Sequence, residues 1–170
     1  VIGALIALPL IEKGKKFWKS SQIYDQGAYG EEKIQEVLEP LIQSGWIPEY
    51  NLRLPQVGDI DVWLQSPKGV NFIIDVKSHS TVVLLEGDVL KRQSYDGKLR
   101  DFEKDFLEQI AKQATAIKKA KKLTKVTRVV VFSDAKVILR NKKKIRGAYV
   151  MEQGGLVSRL QELDRSYKSR

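Results

Sequence analysis

Two short runs carry the residues best placed to do chemistry. Gly58-Asp59-Ile60-Asp61 and Ile74-Asp75-Val76-Lys77 are separated by Gln65-Ser66-Pro67-Lys68-Gly69, a segment with turn chemistry. A period of two puts Asp59, Asp61 and Trp63 on one face of the first strand and Ile60, Val62 and Leu64 on the other. In the second strand Phe72, Ile74 and Val76 point one way, while Ile73, Asp75 and Lys77 point the other. A turn centred near Lys68 sets Asp61 opposite Asp75, and opposed residues of an antiparallel pair sit about 5 Å apart at Cβ. That separation lets two carboxylates hold one hard cation, with an ammonium beside them.

An Asp-x-Lys strand also fits an ordinary solvated face. The run from Val70 to Val76 is apolar apart from Asn71 and Asp75, which favours a central, buried strand. Burying an ion costs several kcal/mol unless it is paired or bound to a metal. Asp61 cannot neutralise Asp75; a divalent cation can.

The flanking elements must deliver further groups to this hairpin. A helix is predicted over 31–43 after Gly30, with Ile34, Val37, Leu38, Leu41 and Ile42 as its apolar stripe and Pro40 in its last turn. Glu31 falls at the edge of that stripe, looking toward the sheet, and Glu32 falls nearly opposite it. By spacing alone Glu31 reads as a residue that complements the helix dipole at its N-terminus. Short strands are expected at 81–85 and 89–91, a loop at 92–97 and a long helix at 99–122. On that helix Phe106, Ile110, Gln113 and Ile117 share a stripe, with Gln109 at its margin. A buried amide needs partners, and Gln113 reads as one that caps a sheet edge or binds a buried water. Strands at 129–132, 137–139 and 149–151 and a helix from about 156 complete the pattern. His79 reads as a surface residue without a catalytic role.

Four pieces in order resemble the nuclease-related domain, a branch of the PD-(D/E)XK nucleases. They are Gly27-Ala28-Tyr29-Gly30-Glu31, Gly58-Asp59-Ile60-Asp61, Ile74-Asp75-Val76-Lys77 and Gln109, and the resemblance runs from about Gln26 to Gln161. It implies an α/β fold of restriction-endonuclease type, a mixed central β-sheet flanked by helices, and metal-dependent hydrolysis of phosphodiesters in DNA. It further implies Mg²⁺, with Mn²⁺ as a substitute, held by Asp61, Asp75, the Val76 carbonyl and Glu31. Lys77 would then position or deprotonate the attacking water, and Gln109 would orient Lys77 or that water. Ile60 stands where the superfamily name has proline, Val62 where this branch often has histidine, and Asp75 where glutamate is common. None of these departures removes a required ligand.

Composition sets the outer bounds. The 170 residues, 42% hydrophobic, suffice for one domain with a real core. With no cysteine and a single histidine, disulfides, thiolate sites and His-rich zinc sites are excluded. A net charge of +9 and pI near 9.6 favour a polyanion, either nucleic acid or an anionic membrane surface. Basic residues gather at Lys118, Lys119, Lys121, Lys122, Lys125 and Arg128, and again at Arg140, Lys142, Lys143, Lys144 and Arg146. They fit both phosphate contacts and solvated helix ends, and no aromatics are interleaved with them for base stacking.

Residues 1–20 differ from the 21–170 domain: Val1 to Ile11 is uncharged, and Lys13, Lys15, Lys16 and Lys19 then surround Phe17 and Trp18. The apolar stretch is shorter than the roughly 20 residues of a bilayer span. One reading makes it the C-terminal end of a membrane anchor, placing the domain in the cytoplasm at the inner face of the membrane. The other makes it a short helix docked on the domain. Beside the nuclease stand two rivals, a nucleic-acid-binding module that does not cut and a membrane-associated adaptor. Metal-dependent cleavage separates the first rival from the nuclease. Vesicle binding through residues 1–20 without cleavage would mark the second.

Overall fold

A computed structural model of the chain describes residues 27–140 and 144–167. The anchor and docked-helix readings of residues 1–20, and Lys142 and Lys143 of the second basic cluster, lie outside the described residues. Among those described, no helix is long and apolar enough to cross a membrane.

The first helix, α1, covers residues 27–43. Three antiparallel strands follow: β1 (Ile47–Leu54), β2 (Gly58–Gln65) and β3 (Asn71–Lys77). After β4 (Val82–Glu86), β5 (Val89–Gln93) and β6 (Leu99–Asp101), the helix α2 (Phe106–Ala120) crosses back to β7 (Thr127–Phe132). The chain closes with β8 (Val137–Ile138), β9 (Ala148–Glu152), a 3₁₀ turn and α3 (Leu156–Arg165). One mixed sheet has the order β1-β2-β3-β7-β9, with β3, β7 and β9 parallel; a second has the order β6-β5-β4-β8. This architecture is the expected α/β, restriction-endonuclease-like fold, with a mixed central sheet between helices.

Both faces of the five-stranded sheet are covered, so its central strands are apolar nearly throughout. Phe72, Ile74, Val76, Val129 and Val131 pack against Ile34, Leu38 and Leu41 of α1 and Leu156 and Leu160 of α3. Ile73, Val130 and Phe132 face Leu107, Ile110, Ala114 and Ile117 of α2, together with Val83, Leu85 and Leu90 of the second sheet. The β2–β3 register pairs Val62 with Ile74, Trp63 with Ile73 and Leu64 with Phe72, the register expected from a turn centred near Lys68.

Several elements differ from the sequence reading. Strand β1 was not anticipated; it is an edge strand, where Pro48 costs no ladder bond. The long helix starts at Phe106 rather than Leu99, because Leu99–Asp101 pairs with Lys91–Gln93 and Asp105 caps α2. The helical spacing of Leu99, Phe102 and Phe106 is thus spread over a strand, a connection and a helix. Segment 92–97 is correspondingly the end of β5 and a tight turn, closed by Gly97 N–H donating to the Ser94 carbonyl. Ile60 packs with Trp63 and Ile73, on the face opposite Val62 and Leu64. The alternation breaks because Asn51 of β1 has φ +51° and the ladder omits its pairing with Asp61. Tyr50 and Leu52 consequently face different layers, as do Val62 and Ile60.

Candidate active site

The break in the β1–β2 ladder falls at Asp61, whose side chain turns toward β3. Its Oδ2 accepts a hydrogen bond from the Val76 N–H at 2.6 Å. Asp75, on β3 itself, is only 3% exposed. Lys77 Nζ lies 2.9 Å from both Asp75 oxygens, but only Oδ1 receives a well-directed hydrogen bond. Oδ2 remains buried without a hydrogen-bond partner among the described residues. The Lys77 ammonium also sits over the Phe106 ring, 4.7 Å from its centroid. Asp61, Asp75, Val76 and Lys77 therefore meet in one place, where β2, β3 and the start of α2 converge.

Burial dominates the electrostatics. It pushes the Asp61 carboxyl up to about 7, helped by the neighbouring Asp75 and opposed by the Val76 N–H and Lys77. Burial raises Asp75 too, and the ammonium of Lys77 opposes it, with Lys104 adding to that opposition. Two adjacent carboxylates that each resist ionising mark a place where a cation would be welcome.

Glu31 approaches from α1. Burial raises its carboxyl, Lys77 pulls it down and Asp59 pushes it up, while Glu31 in turn adds to the shift of Asp61. Helix α1 can come this close because Gly30 has no side chain: a Cβ there would lie 3.0 Å from Ser78 Cβ and 3.2 Å from Ser133 Oγ. Gly30 sits within the helix, which begins earlier than the predicted 31. Glu31 is thus within electrostatic range of the pair. Among the described residues, however, no three His, Cys, Asp or Glu side chains are gathered as a ready metal cage.

The two glutamines of α2 have separate positions. Gln113 is buried and its Nε2 donates to the Asp59 carbonyl at 2.7 Å, capping the start of β2. Gln109 borders a groove of about 450 Å³ shared with Gly58, Lys104 and Lys112. Its buried Oε1 has no hydrogen-bond partner among the described residues.

Three further residues were not signalled by the sequence as part of this neighbourhood. His79 is half-buried rather than freely exposed: its ring packs 5.0 Å from Phe102 and 5.8 Å from Phe106, centroid to centroid. Burial lowers its imidazole pKa, and Lys77 and Arg92 lower it further. Lys104 acts on Asp75 from the loop before α2, and Phe106 underlies Lys77. Lys104 and Phe106 arrive across the long connection from β3, so no local spacing betrays them, whereas His79 follows Lys77 by two residues.

The basic clusters are partly committed to structure. Lys121 pairs with Glu49 at 2.6 Å and covers the Trp63 ring, and Arg146 pairs with Asp105. No curated protein and no solved structure matches the chain. The nuclease-related domain family does match, over residues 26–133, a span that holds Glu31, Asp61, Asp75, Lys77 and Gln109. With more than half of its length matched, and with the superfamily's sheet architecture, the chain belongs to the nuclease-related domain family.

Proposed function

We propose that this chain is a metal-dependent nuclease that hydrolyses phosphodiester bonds in DNA. The observation that carries the reading is buried Asp75, whose Oδ2 faces the Lys77 ammonium but receives no well-directed hydrogen bond, beside the raised carboxyl of Asp61. An all-oxygen set of this kind suits a hard cation. Asp61, Asp75 and the Val76 carbonyl would hold Mg²⁺, or Mn²⁺ in its place, and Glu31 would add a further contact. A bound Mg²⁺ supplies neutralising charge to the phosphoryl oxygens and acidifies a coordinated water.

The chain's own groups supply the rest. Lys77, fixed by Asp75 and by the Phe106 face, presents N–H donors to the attacking water and to the charge that builds on the phosphoryl group. Gln109 offers its free Oε1 as an acceptor that orients Lys77 or that water. Lys104, along the adjoining groove, suits contacts with flanking phosphates, whereas Lys112 there is paired with Glu108 at 2.6 Å. One observation favours the rival binding module: the described residues include no ready cage of three ligands.

Incubating the purified chain with plasmid and single-stranded DNA in Mg²⁺, Mn²⁺ or EDTA separates the two. Cutting that requires metal supports the nuclease. Tight, salt-sensitive binding without cutting in either metal would favour the binding module.

A further inference from the structure

We propose that a cavity at the opposite end of the sheet is a second binding site, specific for a mononucleotide phosphate. The cavity, about 330 Å³, opens where β3 and β7 begin, between those strands and the end of α3. That volume falls at the small end of the range for ligand pockets. Asn71 and Asp75 lie four residues apart on β3, roughly 13 Å at 3.3 Å per residue, so a phosphate held beside Asn71 is out of reach of the aspartates.

The lining is selective in charge. Lys125 and Lys144 contribute two ammonium groups, Thr124 and Thr127 contribute hydroxyls, the Ser166 hydroxyl donates to the Leu163 carbonyl, and none of the lining residues is acidic. Neither lysine forms an ion pair among the described residues, in contrast to Lys121 and Arg146 nearby in the sequence. Uncompensated ammonium groups and hydroxyl donors in one concavity match a phosphate dianion. Lys144 Nζ sits 4.6 Å from the Tyr149 ring centroid, which fixes one edge of the cavity. Tyr167, 36% exposed, leaves a ring at the rim on which a base can stack. A phosphate with an attached base uses both features; a bare phosphate uses only the first.

Isothermal titration of the whole chain with AMP, adenosine and inorganic phosphate tests the site. AMP should bind at least tenfold more tightly than either fragment. Lys125→Glu with Lys144→Glu should weaken AMP at least tenfold; both lysines are exposed, so the fold should persist. Tyr167→Ala should weaken AMP and leave phosphate unchanged, which keeps the test open should charge reversal disturb folding. Asp75→Ala should leave AMP binding intact, so this test stands apart from the nuclease reading. Absence of AMP binding, indifference to both sets of substitutions, or loss in Asp75→Ala would overturn the site. Equal affinity for phosphate and AMP would overturn its nucleotide specificity.

Discussion

Asp75 is held between two opposing influences, since burial favours its protonated form and the ammonium of Lys77 favours the carboxylate. Lys77 is thereby tied to an acid and to an aromatic face, which fixes its position better than its charge alone would. Replacing it by alanine should leave DNA and Mg²⁺ binding in place and lower the cleavage rate by about 100-fold or more, the usual scale for losing a positioned proton donor or acceptor. Single-turnover cleavage beside a binding titration measures both halves, and normal cleavage would remove Lys77 from the mechanism. Asp61 gives a prediction in pH. Its carboxyl ionises at about 7 in the fold against an ordinary aspartate value of 3.8, so the folded chain holds the extra proton between those values. The contribution is full below the lower value and lost as pH rises through the higher one. Metal-free protein should therefore melt at a lower temperature at pH 8 than at pH 5. His79, with its imidazole pKa lowered from the ordinary value, acts with the opposite sign, so Asp61→Asn is the control that isolates the aspartate. That variant should flatten the fall; an unchanged profile would contradict the raised carboxyl. Mg²⁺ should restore melting temperature more at pH 8 than at pH 5, because protons compete with the cation for the same oxygens.

At the scale of elements, the site depends on how closely α1 and α2 approach the ends of the central strands. Gly30 sets the first approach, and Gly30→Val should destabilise the fold by about 1–3 kcal/mol through overpacking against Ser78 and Ser133. A thermal melt that is unchanged would show that the helix can move away at no cost. Asp105 sets the second, accepting from the N–H groups of Leu107 and Glu108 and pairing with Arg146. Asp105→Ala should cost about 1 kcal/mol in chemical denaturation, the scale of a lost helix cap. These elements also show what the sequence conceals. The β2–β3 hairpin, with Asp61, Asp75 and Lys77, was legible because a short turn fixes its register and a period of two assigns its faces. The start of α2 was misread because Leu99 and Phe102 continue the helical spacing while Leu99–Asp101 pairs with β5. The face of Ile60 was misread because the break at Asn51 lies on a strand that local pattern did not reveal.

For the whole molecule, the five-stranded sheet brings distant segments to one end: Glu31 from the first helix, Asp61 and Asp75 from the hairpin, and Lys104 from the loop before the second helix. Residues close in sequence were legible as a site; Lys104 and Phe106 join it only through the crossover, which no spacing encodes. The charge of +9 acts at this scale as well, although Lys121 and Arg146 spend theirs on internal pairs. DNA affinity should fall at least ~10-fold between ~50 and ~200 mM salt, as released counterions require. A salt-independent affinity would point away from phosphate contacts. The most direct measurement is plasmid cleavage in Mg²⁺ by the wild-type chain and by Asp75→Asn, which keeps the shape of the side chain and removes its charge. Metal-dependent cutting by the wild type that disappears in Asp75→Asn is the predicted result. Equal cutting by the two proteins, or none by the wild type in either Mg²⁺ or Mn²⁺, would contradict a metal-dependent centre built on Asp61, Asp75 and Lys77.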